Sequence, residues 1–68
     1  MIKRLLNEDV GKMVVYKPKT NIEDVGRLKT FDNTNQIAWV VYKWGETSEW
    51  ENYTAQATNY SDLEFANV

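Results

Sequence analysis

Six side chains in the second half of the chain have the types and spacing to grip a cation. Tyr42, Trp44, Trp50 and Tyr60 supply aromatic rings, and Glu46 and Glu49 add negative charge beside them. Ring faces attract ammonium and guanidinium groups through their quadrupole, so this set predicts a cage or a contact patch on the surface. Trp and Tyr are also common anchors of protein interfaces. A plainer alternative stays open, with Trp39 and Tyr53 in the core and Trp44 and Trp50 pinning a loop to the body. Catalysis has less to draw on. The chain contains no His and no Cys, which removes the commonest general base, the thiol nucleophile and the usual zinc ligands. Ser48 and Ser61 have no base within motif range, and Glu46 with Glu49 reads as solvated charge rather than an acid–base pair. No calcium loop or phosphate-cradling glycine motif is present. These residues predict a non-enzyme without cofactor or metal.

A second set lies in the first half. Lys12, Lys17, Lys19, Arg27 and Lys29, with Tyr16 to stack on a base, could form a basic strip for nucleic acid. Residues 1–30 hold seven Lys/Arg and four Asp/Glu, a balance of +3, whereas residues 31–68 hold one Lys and six Asp/Glu, a balance of −5. The basic excess is mild for a nucleic-acid binder, and a mimic of the nucleic-acid backbone would need far more acid. The asymmetry reads rather as complementarity between segments of one fold.

These side chains need a scaffold, and its centre is Gln36 to Trp44, reading Gln-Ile-Ala-Trp-Val-Val-Tyr-Lys-Trp. The run is too short for a membrane span, which takes about 20 apolar residues, and its β-branched and aromatic types suit a strand. It is apolar in both phases: Ile37, Trp39 and Val41 in one, Ala38, Val40 and Tyr42 in the other. One face then lines a core, and the other needs a terminus, a second copy or a partner over it. Before it, Met13-Val14-Val15-Tyr16 reads as a strand ended by Pro18, and Arg27 to Phe31 as a strand with Leu28 inward. Asn33-Thr34-Asn35 is a tight-turn signal, since Asn tolerates the left-handed conformation. After it, Tyr53 to Thr58 reads as a strand whose small Ala55 and Ala57 face inward and make room for Trp39. Asn59 to Leu63 fits one 3-10 turn, and Glu64 to Val68 a short closing strand. Glu8-Asp9-Val10-Gly11-Lys12 returns as Glu23-Asp24-Val25-Gly26-Arg27, which reads as two acidic turns, each with a glycine for a positive φ or a bulge. Ile2, Leu5 and Leu6 share a face at helical spacing, so residues 1–9 form a segment packed on the barrel or a handle for a partner.

This order predicts an all-β chain: a small five-stranded Src-homology-3-like (Tudor-like) barrel over residues 10–68, with a one-turn 3-10 helix before the last strand. An oligonucleotide-binding barrel needs a helix between its third and fourth strands, for which there is no room. Sixty-eight residues sit near the lower limit for one self-supporting core, and without cysteine no disulfide braces it. Three Trp, four Tyr and two Phe must supply the buried area. Lys3 and Arg4 precede no apolar run of about 7–15 residues, so the start is not read as a secretory leader and a cytoplasmic protein is expected.

Trp39-Val40-Val41-Tyr42, Trp50-Glu51-Asn52-Tyr53-Thr54-Ala55, Thr58 and Asp62-Leu63-Glu64-Phe65 together resemble a family of small phage and prophage proteins. Val14-Val15-Tyr16-Lys17-Pro18 and Gly26 fit the same pattern, and the likeness spans about residues 10–66. The chain departs from it at Tyr60, where those proteins often carry Pro. The resemblance implies a Src-homology-3-like barrel in a bacterial host and no established activity. The expectation is a non-catalytic module for a host or phage protein, as an inhibitor or counter-defence factor, contacting its partner through Tyr42, Trp44, Glu46, Glu49, Trp50 and Tyr60. Self-assembly through the second face of the central strand and weak nucleic-acid binding are the alternatives. No membrane partner is expected.

Overall fold

The computed structural model describes residues 2–18, 22–42 and 52–66. Five strands form, β1 and β3 from apolar runs rich in β-branched and aromatic residues and β2 from a mixed run of apolar and polar ones: β1 (Met13–Tyr16), β2 (Asp24–Asp32), β3 (Ile37–Val41), β4 (Gln56–Asn59) and β5 (Leu63–Phe65). They make one antiparallel sheet in the order β4-β3-β2-β1-β5. The expected all-β architecture, with a 3-10 turn at Tyr60–Asp62 before the last strand, is what forms. That turn forces the sheet to curl. In a flat sheet four spacings of about 4.8 Å would separate β4 from β5 by roughly 19 Å. Three residues of 3-10 helix advance only about 6 Å. The two edge strands are therefore brought round towards each other, leaving a seam between them.

Register decides which side chains face the interior. Val14 lies opposite Gly26 and Phe65, Leu28 opposite Val40, and Ala38 opposite both Phe31 and Thr58. A register shift between Leu28 and Thr30 keeps Phe31 on the inner face. The core is Ile2, Leu5, Val14, Leu28, Ala38, Val40, Tyr60 and Leu63, with Tyr16, Phe31 and Tyr42 packed against it. On the outer phase of β3, Val41 is also fully buried, while Ile37 and Trp39 are half-buried.

The N-terminal segment enters this core. The Ile2 N–H donates to the Leu63 carbonyl at 3.1 Å. The Asn33 side chain accepts from the Leu5 N–H at 2.9 Å and donates to the Leu5 carbonyl at 2.8 Å, as a neighbouring strand would. Leu6 is exposed, so the expected Ile2–Leu5–Leu6 face does not form. Its backbone is extended, and the only helical turn nearby, Asn7–Asp9, begins after it. Asp9 closes that turn, accepting from the Leu6 N–H at 2.8 Å and from Lys12 at 2.9 Å.

Three local expectations are corrected. The hairpin residue with positive φ is Gln36 (55°), not an asparagine. Asp32 builds the turn by accepting from the Thr34 and Asn35 N–H groups and the Asn35 amide, which leaves Asn33 for Leu5 and Tyr60. The twin acidic motifs differ: Gly11 takes φ 93° in a turn, whereas Gly26 lies inside β2 opposite Val14. A Cβ on Gly26 would stand 2.4 Å from Val40 Cγ1 and 2.9 Å from Tyr42 Cδ1, so close approach is its reason. Finally, β4 has the opposite phase to that expected. Thr58 is buried, and Ala57, opposite Trp39, lies on the outer face and is exposed. The small residue does sit beside the tryptophan, but on the outer face of the sheet. Among the described residues, no helix is long and apolar enough to cross a membrane.

Candidate functional site

Where β1 ends and β2 begins, antiparallel pairing sets Tyr16 directly opposite Asp24. Tyr16 is in phase with Val14, so its ring turns to the inner face, where Tyr42 arrives two residues after Val40. The two rings meet edge to face, 6.0 Å between centroids and 65° between planes. Gly26 makes this possible, because any side chain there would displace Val40 and Tyr42. The Tyr60–Asp62 turn is held against β1 by the Lys17 N–H, which donates to the Asp62 carbonyl at 2.6 Å. That contact brings the Asp62 side chain to the same mouth.

The result is a cleft of about 670 Å³ with Tyr16, Asp24, Tyr42, Tyr53 and Asp62 on its walls and every residue of β4 along one side. The Tyr42 hydroxyl and Thr58 Oγ1 share a hydrogen bond of 2.8 Å, which spans from the aromatic pair to β4. Burial pushes the Tyr42 phenol above its ordinary pKa; the Thr58 bond works against this, and Tyr16, Asp24 and Asp62 reinforce it. Both aspartates therefore act on this hydroxyl through their fields. Two carboxylates and two or three ring faces around one space suit a cationic side chain. Among the described residues no group of three or more metal-ligating side chains occurs.

Only some of the sequence-derived candidates meet here. Tyr42 does. Trp44, Glu46, Glu49, Trp50 and Lys19 lie outside the described residues. Tyr60 is corrected: it is 1% exposed, part of the core, and donates its hydroxyl to Asn33 Oδ1 at 2.8 Å, so it cannot serve as a contact residue. The structure also places Lys12, Lys17, Arg27 and Lys29 of the candidate basic strip, with Tyr16. Lys12 and Lys17 flank β1 at opposite ends, roughly 16 Å apart at strand rise. Lys12 pairs with Asp9 at 2.9 Å and stands 5.6 Å over the Phe65 ring. Lys17 pairs with Glu64 at 3.1 Å and with Glu23 at 3.9 Å. Arg27 and Lys29 are half-buried beside β3, and Lys29 donates to the Tyr53 carbonyl at 3.3 Å. Tyr16 faces Tyr42 inside the cleft, away from a row of lysines.

Asp24, Thr58 and Asp62 were not singled out from the sequence. The alternation of Val14 and Tyr16 could have turned Tyr16 inward, but only the register reveals Asp24 as its neighbour. A second, mostly apolar groove of about 420 Å³ lies between Lys29, Thr30, Trp39, Thr54 and Ala55. Compared with known proteins, the chain matches no family model, no curated sequence and no solved structure.

Proposed function

We propose that this protein is a non-catalytic interaction module of Src-homology-3-like type, phage or prophage in origin, which binds a host or phage protein through the Tyr16–Tyr42 cleft. The observation that carries the reading is the placing of Asp24 and Asp62 at the mouth that holds the paired tyrosine rings. A cation entering it gains charge-assisted contacts and ring faces together, in a space partly withdrawn from water. The ion pairs of Lys12 and Lys17 favour a protein partner over a nucleic acid, since they neutralise the charge a phosphate backbone would need.

The test is affinity capture from bacterial lysate with the native chain and with the Asp24→Asn/Asp62→Asn variant in parallel. Both aspartates lie outside the hydrophobic core, so the variant should fold. Proteins retained by the native chain and lost by the variant support the reading. Identical captures by both chains sink it. A second reading, self-assembly through the outer face of β3, draws on the half-buried Ile37 and Trp39 and the groove beside Trp39. Light scattering that shows only monomer up to millimolar concentration removes it.

A further inference from the structure

β4 stands at one end of the sheet, with β3 on one side and no strand on the other among the described residues. Its hydrogen-bond phase follows from one contact. The Tyr60 N–H donates to the Gln36 carbonyl at 3.0 Å, in line with the pairing of Ile37 with Asn59. In an antiparallel ladder, bonded and non-bonded pairs alternate. Ala38/Thr58 and Val40/Gln56 are therefore bonded pairs, and Ala57 and Asn59 turn their N–H and C=O groups to the open edge. The edge carries little protection beyond its length: Gln-Ala-Thr-Asn holds no charge and no proline, and three of its four residues are exposed. All four line the cleft that also holds Tyr16, Tyr42, Asp24 and Asp62.

We propose that an extended polypeptide segment carrying a cationic side chain adds antiparallel to the open edge of β4 as a further strand, filling the seam between β4 and β5. This deepens the interaction reading and rests on it. Bonds to Ala57 and Asn59 hold the incoming backbone, and the residue opposite Thr58 points to the inner face, as Thr58 itself does. That residue is the arginine or lysine. Its charge meets Asp24 and Asp62, and its stem lies along the tyrosine rings. Because bonded and non-bonded pairs alternate along an antiparallel ladder, its two sequence neighbours direct their own N–H groups at β4, while its own N–H points away.

The probe is a capped heptapeptide of alternating Thr and Val with a central Arg, titrated into the native chain and followed by amide NMR and hydrogen exchange. Binding should slow exchange of the Ala57 and Asn59 amides by about tenfold or more, and a central Glu should weaken binding by a similar factor. N-methylation of the two residues flanking the Arg should abolish binding, and N-methylation of the Arg should be tolerated. Equal affinity of the two N-methylated peptides, with binding still lost in Asp24→Asn/Asp62→Asn, overturns strand addition and leaves the cleft as the interaction site. No binding at millimolar peptide also overturns it, and the lysate capture then judges the cleft separately. Protection of the same two amides that grows with protein concentration overturns it in favour of a second copy on this edge.

Discussion

A methyl group at position 26 has nowhere to go. The nearest atoms are a Val40 methyl, the near edge of the Tyr42 ring and, at 3.0 Å, the Val41 carbonyl, which belongs to the backbone and cannot swing aside. Gly26→Ala should therefore destabilise the fold by about 1–3 kcal/mol, the usual range for overpacking. It should also part Tyr42 from Tyr16. Urea unfolding with an unchanged midpoint would show that the pairing yields at no cost. Asn33 is the second residue on which distant parts converge, because one amide serves the Leu5 peptide and the Tyr60 hydroxyl. Asn33→Ala leaves several partly buried groups unpaired, each costing about 1–3 kcal/mol, whereas Tyr60→Phe removes one bond worth about 1 kcal/mol. Equal losses from the two substitutions, read by denaturant midpoint, would contradict this. Asp9 adds a pH dependence. Its carboxyl is held below the ordinary range, first by the Lys12 hydrogen bond and then by the Leu6 N–H. A carboxyl lowered on folding contributes stability above its unfolded pKa, and that contribution is lost as pH falls through the folded pKa. Asp32 and Glu64 are lowered likewise, through Asn35 and Lys17 respectively. Melting temperature should thus fall on acidification below the normal carboxylate range, and Asp9→Asn should flatten that fall. Parallel acid limbs for the two proteins would remove Asp9 from the account.

Among the elements, the N-terminal segment contributes Ile2 and Leu5 to the core under the sheet. Leu5 is 1% exposed, and Leu6 beside it is 47% exposed. Leu5→Ala should cost about 2–5 kcal/mol, and Leu6→Ala should stay within about 0.5 kcal/mol. For a chain of 68 residues the whole stability is roughly 3–10 kcal/mol, so the first substitution removes a large part of it. Comparable unfolding midpoints for the two variants would mean that the segment does not dock in solution. At this scale much was legible beforehand. The Met13–Tyr16 strand, the turn after Asp32 and the 3-10 turn before the last strand all follow from side-chain type and local punctuation. The phase of β4 did not follow. Ala55 and Ala57 looked inward because they are small, yet Thr58 is the residue inside, where its hydroxyl meets Tyr42. A polar side chain with a buried partner looks, in sequence, like any surface threonine.

The whole molecule carries its charge in a manner the totals conceal. The N-terminal half has a formal excess of +3, but Lys12 and Lys17 are matched by Asp9, Glu23 and Glu64. The pairing of Lys17 with Glu64 joins the basic half to the acidic one. Titration with single-stranded and duplex oligonucleotides at low salt should accordingly show no binding. Affinity that falls steeply with added salt would instead restore the basic strip.

The alternation of apolar residues and the turn signals were enough to establish an all-β chain of five short strands, and its composition fixes that it holds neither imidazole nor thiol. These are local properties, set within a few residues by side-chain shape and backbone preference. Only the folded chain decided that Tyr16 meets Tyr42 across a glycine, that Asp24 and Asp62 share their mouth, and that Tyr60 is core rather than surface. Those facts depend on register and on contacts between residues more than twenty positions apart, such as Leu5 with Asn33 and Tyr60 with Asn33. Curling a sheet brings such residues together, and no local pattern records which ones will meet.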